Sequence, residues 1–114
     1  VQDNGICIIL DPATRFYNDL PAAEQDHWVS LLKPCSAKTQ LQAVTYVAFL
    51  YHPVTHLICE NDQALPAFLQ RKMISNVEGG KAGLGFTIER CTAGHSPFSS
   101  QPDVLVKVAK KMVN

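Results

Sequence analysis

The chain of 114 residues has no excess charge of either sign, since ten Lys and Arg balance ten Asp and Glu. No basic stripe with interleaved aromatics occurs, and that excludes nucleic acid as the expected partner. No apolar run reaches the ~20 residues that a bilayer span needs, so no membrane partner is expected either. A charged-then-apolar leader is also missing. The opening Val1-Gln2-Asp3-Asn4-Gly5 has no initiator Met and runs almost at once into apolar residues, which reads as the interior of a longer polypeptide. Four cysteines, at 7, 35, 59 and 91, are spaced too widely for a zinc ribbon or a Cys-x-x-Cys site. Two of them sit inside apolar strand patterns, where a thiol acts as a small buried hydrophobe, and a reducing, cytoplasmic setting is the expectation. The run Glu78-Gly-Gly-Lys-Ala-Gly-Leu-Gly85 lacks the Walker spacing and leads into a strand pattern, so it reads as a connector rather than a phosphate cradle. His52 and His56 flank Pro53 with no third ligand in view, and neither a metal nor a cofactor is implied.

What the chain does have is 46% apolar residues, enough for one small domain with a core. Gly5–Leu10 reads as a short strand, closed by the turn at Asp11-Pro12, with Arg15–Asp19 returning as a second strand of a hairpin. Pro21 opens a helix whose Trp28, Leu31 and Leu32 form one stripe before Lys33-Pro34 ends it. Residues 36–42 read as a connector or a ragged helix, and 44–51 as either strand or helix. Val54–Cys59 is almost continuously apolar or β-branched, as in a parallel strand covered on both faces. Pro66 opens a second helix with Leu65, Leu69 and Met73 on one side, and Asn76 is its expected end. Phe86–Cys91 is a second strand. Ser100-x-x-Asp103 then reads as a capping box, with Leu105, Val108, Ala109 and Met112 on one face of a last helix. Strand, helix, strand, helix is α/β winding, preceded by a hairpin-plus-helix layer.

Chemistry in open parallel sheets gathers at the carboxyl ends of the strands. Asp62 follows the first core strand and His95 follows the second. Alone, Asp62 could be ordinary turn or cap chemistry, and His95 an ordinary loop residue. As a pair they suit a carboxylate that holds one imidazole nitrogen while the other takes a proton. Glu60 is a spare acid. Trp28, Phe16 and Tyr17 are candidates to line a substrate pocket, or else pack within their own layer.

Cys59-Glu-Asn-Asp-Gln-Ala-Leu-Pro66, then Gln70, and later Ala93-Gly-His-Ser-Pro-Phe-x-Ser-x-Pro102 resemble the C-terminal part of α/β-hydrolase-fold proteins. The group most similar contains plant methylesterases, salicylate-binding esterases and hydroxynitrile lyases, with fungal relatives. The resemblance implies residues 1–43 as a cap or lid and 44–114 as the C-terminal part of the core, incomplete without an N-terminal half. It implies Asp62 as triad acid and His95 as triad base of a serine esterase acting on a small ester, lactone or amide. The same fold also serves lyases or other metabolite-processing enzymes, including secondary metabolism, and non-catalytic small-molecule binders. The nucleophile elbow Gly-x-Ser-x-Gly is absent from these residues, and Ser96 before Pro97 does not replace it. The serine is therefore expected outside them.

Overall fold

The computed structural model describes Gln2 and residues 5–79 and 86–113. The glycine-rich connector between the second and third core segments lies, from Gly80 to Gly85, outside the described residues. In chain order the elements are β1 (Ile6–Cys7), α1 (Pro12–Tyr17), α2 (Ala22–Leu31), β2 (Cys35–Ser36), α3 (Lys38–Leu41), a 3-10 turn at Ala48–Leu50, β3 (Val54–Cys59), α4 (Ala67–Gly79), β4 (Phe86–Cys91), α5 (Pro97–Ser100) and α6 (Pro102–Val113). The architecture is α/β: a parallel β3–β4 sheet flanked by helices, with a small antiparallel ribbon and helices as a cap. Among the described residues no helix is long and apolar enough to cross a membrane.

β3 and β4 occupy the segments their composition predicts and pair in parallel from Val54↔Phe86 to Cys59↔Cys91. Side-chain burial deepens toward the carboxyl ends. Val54–Leu57 are half-buried, whereas Ile58 is 1% exposed and Cys59 is buried. Cys59, Cys91 and Ala93 form a tight apolar cluster against which Leu57 and Val104 pack. Covering both faces of β3 is thus achieved only at its end. The ladder continues past the strands, because Glu60 N–H donates to Cys91 O (2.9 Å) and Asn61 N–H to Ala93 O (3.1 Å). The two loops that follow the strands are thereby tied backbone to backbone.

Several local expectations are corrected. The segment Arg15–Asp19 does not return as a strand; Pro12 starts a helix there, its ring presetting the helical φ. Asp11 ahead of it takes a left-handed backbone (φ 50°), which aspartate tolerates better than most residues. The antiparallel partner of β1 is instead β2, with Ile6↔Ser36 and Cys7↔Cys35 in register. The stripe on α2 is not buried: Leu31 is 52% exposed and no residue of that helix is buried. Residues 44–51 hold only the 3-10 turn, with Tyr46 and Tyr51 stacked at 5.3 Å.

On α4 the inward positions are Gln70 and Ile74, while Phe68, Leu69 and Met73 face out, and the helix runs past Asn76 to Gly79. A polar residue takes the inner face because it bonds the backbone at the end of β3. On α6 only Val108 of the expected face is buried, with Leu105 and Met112 exposed. The Ser100 hydroxyl does not cap α6; it turns back to Ser96 O (3.4 Å).

Candidate active site

Asp62 lies in the tight loop between β3 and α4, where Asn-Asp is turn chemistry. Its Oδ1 accepts the backbone N–H groups of Ala64 and Leu65, both at 2.8 Å. Those two bonds fix the carboxylate within its own turn. Its side chain is 6% exposed. Gln70, 3% exposed, anchors the same loop from α4. Its Oε1 accepts Cys59 N–H (3.2 Å). Its Nε2 lies 2.7 Å from Leu65 O, 3.2 Å from Cys59 O and 3.4 Å from Asp62 Oδ2. A side-chain amide that both donates and accepts is the group such a strand end requires.

His95 arrives from the loop between β4 and α5. Its Nδ1 lies 2.9 Å from Asp62 Oδ2 and 3.1 Å from Oδ1. An ionised carboxylate only accepts, so the network places a proton on Nδ1, and in the neutral tautomer of that ring Nε2 carries the lone pair. Among the described residues Nε2 has no hydrogen-bond partner, and the side chain is 37% exposed. The turn reading and the functional reading of Asp62 are therefore not rivals. One carboxylate closes the turn and meets the ring.

Phe16 of α1 stacks on the imidazole, centroids 4.9 Å apart and planes 19° off parallel. It also lines a cavity of about 470 Å³ with Cys7, Ile8, Ile9, Pro12, Val29 and Leu32, among others. The cavity and the imidazole thus share one wall. Tyr17 is buried, edge-on to Phe16 at 6.2 Å, and Trp28 is not among the lining residues. A second cavity, about 270 Å³, lies at the other end of the strands beside Pro53, Val54 and Thr55.

Glu60, the spare acid, turns away from His95 and pairs with Arg71 (2.6 Å) and Arg90 (3.4 Å). Ser96 is buried, and its carbonyl accepts the first bonds of α5. His52 Nε2 lies 3.2 Å from the Tyr46 hydroxyl. Among the described residues no group of three or more His, Cys, Asp or Glu could hold a metal ion.

Behind the pair lie two buried free thiols, Cys91 Sγ donating to Cys59 Sγ at 3.7 Å. Burial first, and the Cys91 contact second, push the Cys59 thiol up to about 12. It is held as a neutral, unreactive hydrophobe.

Two features of the site have no counterpart in the sequence reading. Asp19 Oδ2 accepts Gly94 N–H (2.7 Å), and Asn18 Nδ2 donates to Asn61 O (3.0 Å). The Asp19 bond spans 75 residues, so no local pattern signals it.

No family model matches the chain. Over 94 residues it is 35% identical to the α/β hydrolase nvfD of Aspergillus novofumigatus, a match covering 82% of this chain and 36% of that protein. The crystal structure of polyneuridine aldehyde esterase superposes with a TM-score of 0.70 at 17% identity, covering 90% of this chain and 40% of that one. The chain therefore spans little more than a third of the length of the curated relative it matches. With a parallel pair whose carboxyl ends carry a bonded aspartate and histidine, and a cap ahead of them, this chain is homologous to part of an α/β-hydrolase-fold protein.

Proposed function

We propose that this chain supplies the acid and base of a serine esterase acting on a small carboxylic ester, lactone or amide. The observation that carries the reading is the His95–Asp62 contact at 2.9 Å with Nε2 left free. In this role Asp62 orients His95 and stabilises the imidazolium. His95 Nε2 removes the proton of a serine hydroxyl and then delivers it to the leaving group. The nucleophile in this reading is a serine outside these residues, since they hold no Gly-x-Ser-x-Gly elbow and Ser96 is buried and precedes Pro97. Residues 1–43 act as the cap and 44–114 as part of the core. The cavity walled by Phe16 takes the apolar part of the substrate, with Tyr17 supporting Phe16 from behind. Trp28 is the weakest of the pocket candidates, because it is not among the residues that line this cavity.

The finer placement beside the plant methylesterases, salicylate-binding esterases and hydroxynitrile lyases draws support from the fold likeness to polyneuridine aldehyde esterase. Four free thiols suit a reducing, cytoplasmic location, which fractionation of the native source would test.

The experiment is turnover of a simple aryl ester by the intact protein. His95→Ala and Asp62→Asn should each lower kcat by about three to four orders of magnitude with little change in the thermal melt. Retention of most activity in both variants removes the assignment. Product masses without added water would favour a lyase or other non-hydrolytic metabolite-processing enzyme. Failure of a covalent serine probe to label the protein, together with tight ligand binding, would favour a non-catalytic binder.

A further inference from the structure

The polar pair that follows α1 touches both arms of the site at equivalent places. Asn61 immediately precedes Asp62, and its carbonyl accepts from Asn18 Nδ2 at 3.0 Å. Gly94 immediately precedes His95, and its N–H donates to Asp19 Oδ2 at 2.7 Å. The two arms are also joined directly, since Asn61 Nδ2 donates to Thr92 O at 2.7 Å.

The remaining oxygens of the pair are unusual. Among the described residues, Asn18 Oδ1 and Asp19 Oδ1 are both buried and have no hydrogen-bond partner. Both face the Cα of Gly94. A Cβ on that residue would collide with Asn18 Oδ1 and stand 2.8 Å from Asp19 Oδ1. Glycine's Cα hydrogens can face such acceptors at close range, as weak C–H···O contacts. Any side chain there would push the two carbonyl-type oxygens away and with them the bond to Gly94 N–H. Buried acceptors without N–H or O–H donors are costly, and a simple joint between two layers gives no reason to keep two of them side by side. Two residues earlier on the same short segment, Phe16 lies flat on the imidazole.

We infer that Asn18 and Asp19 form a positioning clamp: by gripping the residue before each partner, they set the separation of Asp62 and His95, with Gly94 as the only residue that fits their grip. The inference rests on reading Asp62 and His95 as the catalytic acid and base, but its first test is independent of activity. The atoms of the clamp do not touch the reacting groups. They act through the two loops, and the loops act through a pair whose productive geometry tolerates little displacement.

The test uses the intact protein with Asp19→Ala, Asp19→Asn and Asn18→Ala, read by crystal structure and by kcat and KM on an aryl ester. In Asp19→Ala the His95 Nδ1 to Asp62 Oδ2 separation is expected to open beyond about 3.5 Å, outside hydrogen-bond range. With it, kcat should fall about tenfold to a hundredfold while KM stays within about twofold. Asp19→Asn keeps an acceptor for Gly94 N–H and should recover most of both. If Asp19→Ala does not fold, Asn18→Ala carries the same expectation at smaller amplitude, because it removes one grip and leaves the other. An unchanged separation in the folded variant, or equal loss in Asp19→Ala and Asp19→Asn, overturns the clamp. A protein without ester turnover overturns the esterase reading alone, and the crystallographic comparison still decides the clamp.

Discussion

The two ends of the β3–β4 pair share strands and register, yet they are built differently. At the carboxyl ends, Asp62, Gln70 and Ser96 are buried polar residues, and Asp62 and Gln70 are bonded at several points to the backbone around them. At the amino ends the contact is ring on ring, as Phe49 meets Phe86 at 6.0 Å, and farther along β4 a surface pair joins Lys111 to Glu89 at 2.7 Å. The contrast extends to two acids only two positions apart. Glu60 is held at the surface between two arginines, and Asp62 is enclosed and given a single imidazole. Both are acids that follow the same strand. Burial and partner, rather than residue type, separate a surface ion pair from a candidate catalytic group.

Substitutions at the two ends should therefore differ in cost. Ile58→Ala removes a fully enclosed side chain near the carboxyl end and should cost about 2–5 kcal/mol in urea unfolding. Gln70→Leu conserves bulk but strips Cys59 N–H and Leu65 O of their partner, and should cost about 2–3 kcal/mol. If Gln70→Leu were neutral, the carboxyl end would not depend on that side chain.

The Cys59 thiol offers a gentler probe. Its pKa is raised from 9.0 to about 12 in the fold, so the unfolded chain loses the proton first as pH rises. The stability it contributes is full below pH 9 and is lost as pH climbs from there toward 12. Unfolding midpoints measured across that window should fall less steeply in Cys59→Ala than in the unsubstituted protein. Burial of Cys59 and Cys91 should make exposed Cys35 react with an alkylating reagent well before either of them, as peptide mapping would report. Least affected should be Lys111→Ala, where the lysine is 63% exposed and the pair with Glu89 is worth about 0–1 kcal/mol.

How much of this could be read beforehand follows the same division. β3, β4 and α6 are legible because their apolar runs are local and their lengths are ordinary, although the Ser100 cap expected for α6 does not form. Asp62 and His95 are legible because each comes directly after such a strand. What is hidden depends on partners far away in sequence. β2 is two residues long and pairs with β1 across the whole of α1 and α2. Asp19 meets Gly94 across 75 positions. The buried face of α4 is misread from hydrophobicity alone, since an apolar stripe of Leu69 and Met73 is visible in the sequence and the need of Cys59 for an amide partner is not. α1 is misread because Pro12 both closes a turn and begins a helix, and the residues after it favour neither strand nor helix strongly.

Two of the bonds that seat Asp62 reach no further than three residues along the chain. The contacts with Gln70 and His95 add partners from farther away, and the grip of Asn18 on Asn61 holds the loop that carries the acid. In the proposed role, a ligand approaching Nε2 would meet a carboxylate already held by backbone donors, so little rearrangement of dipoles would accompany the proton when it moves.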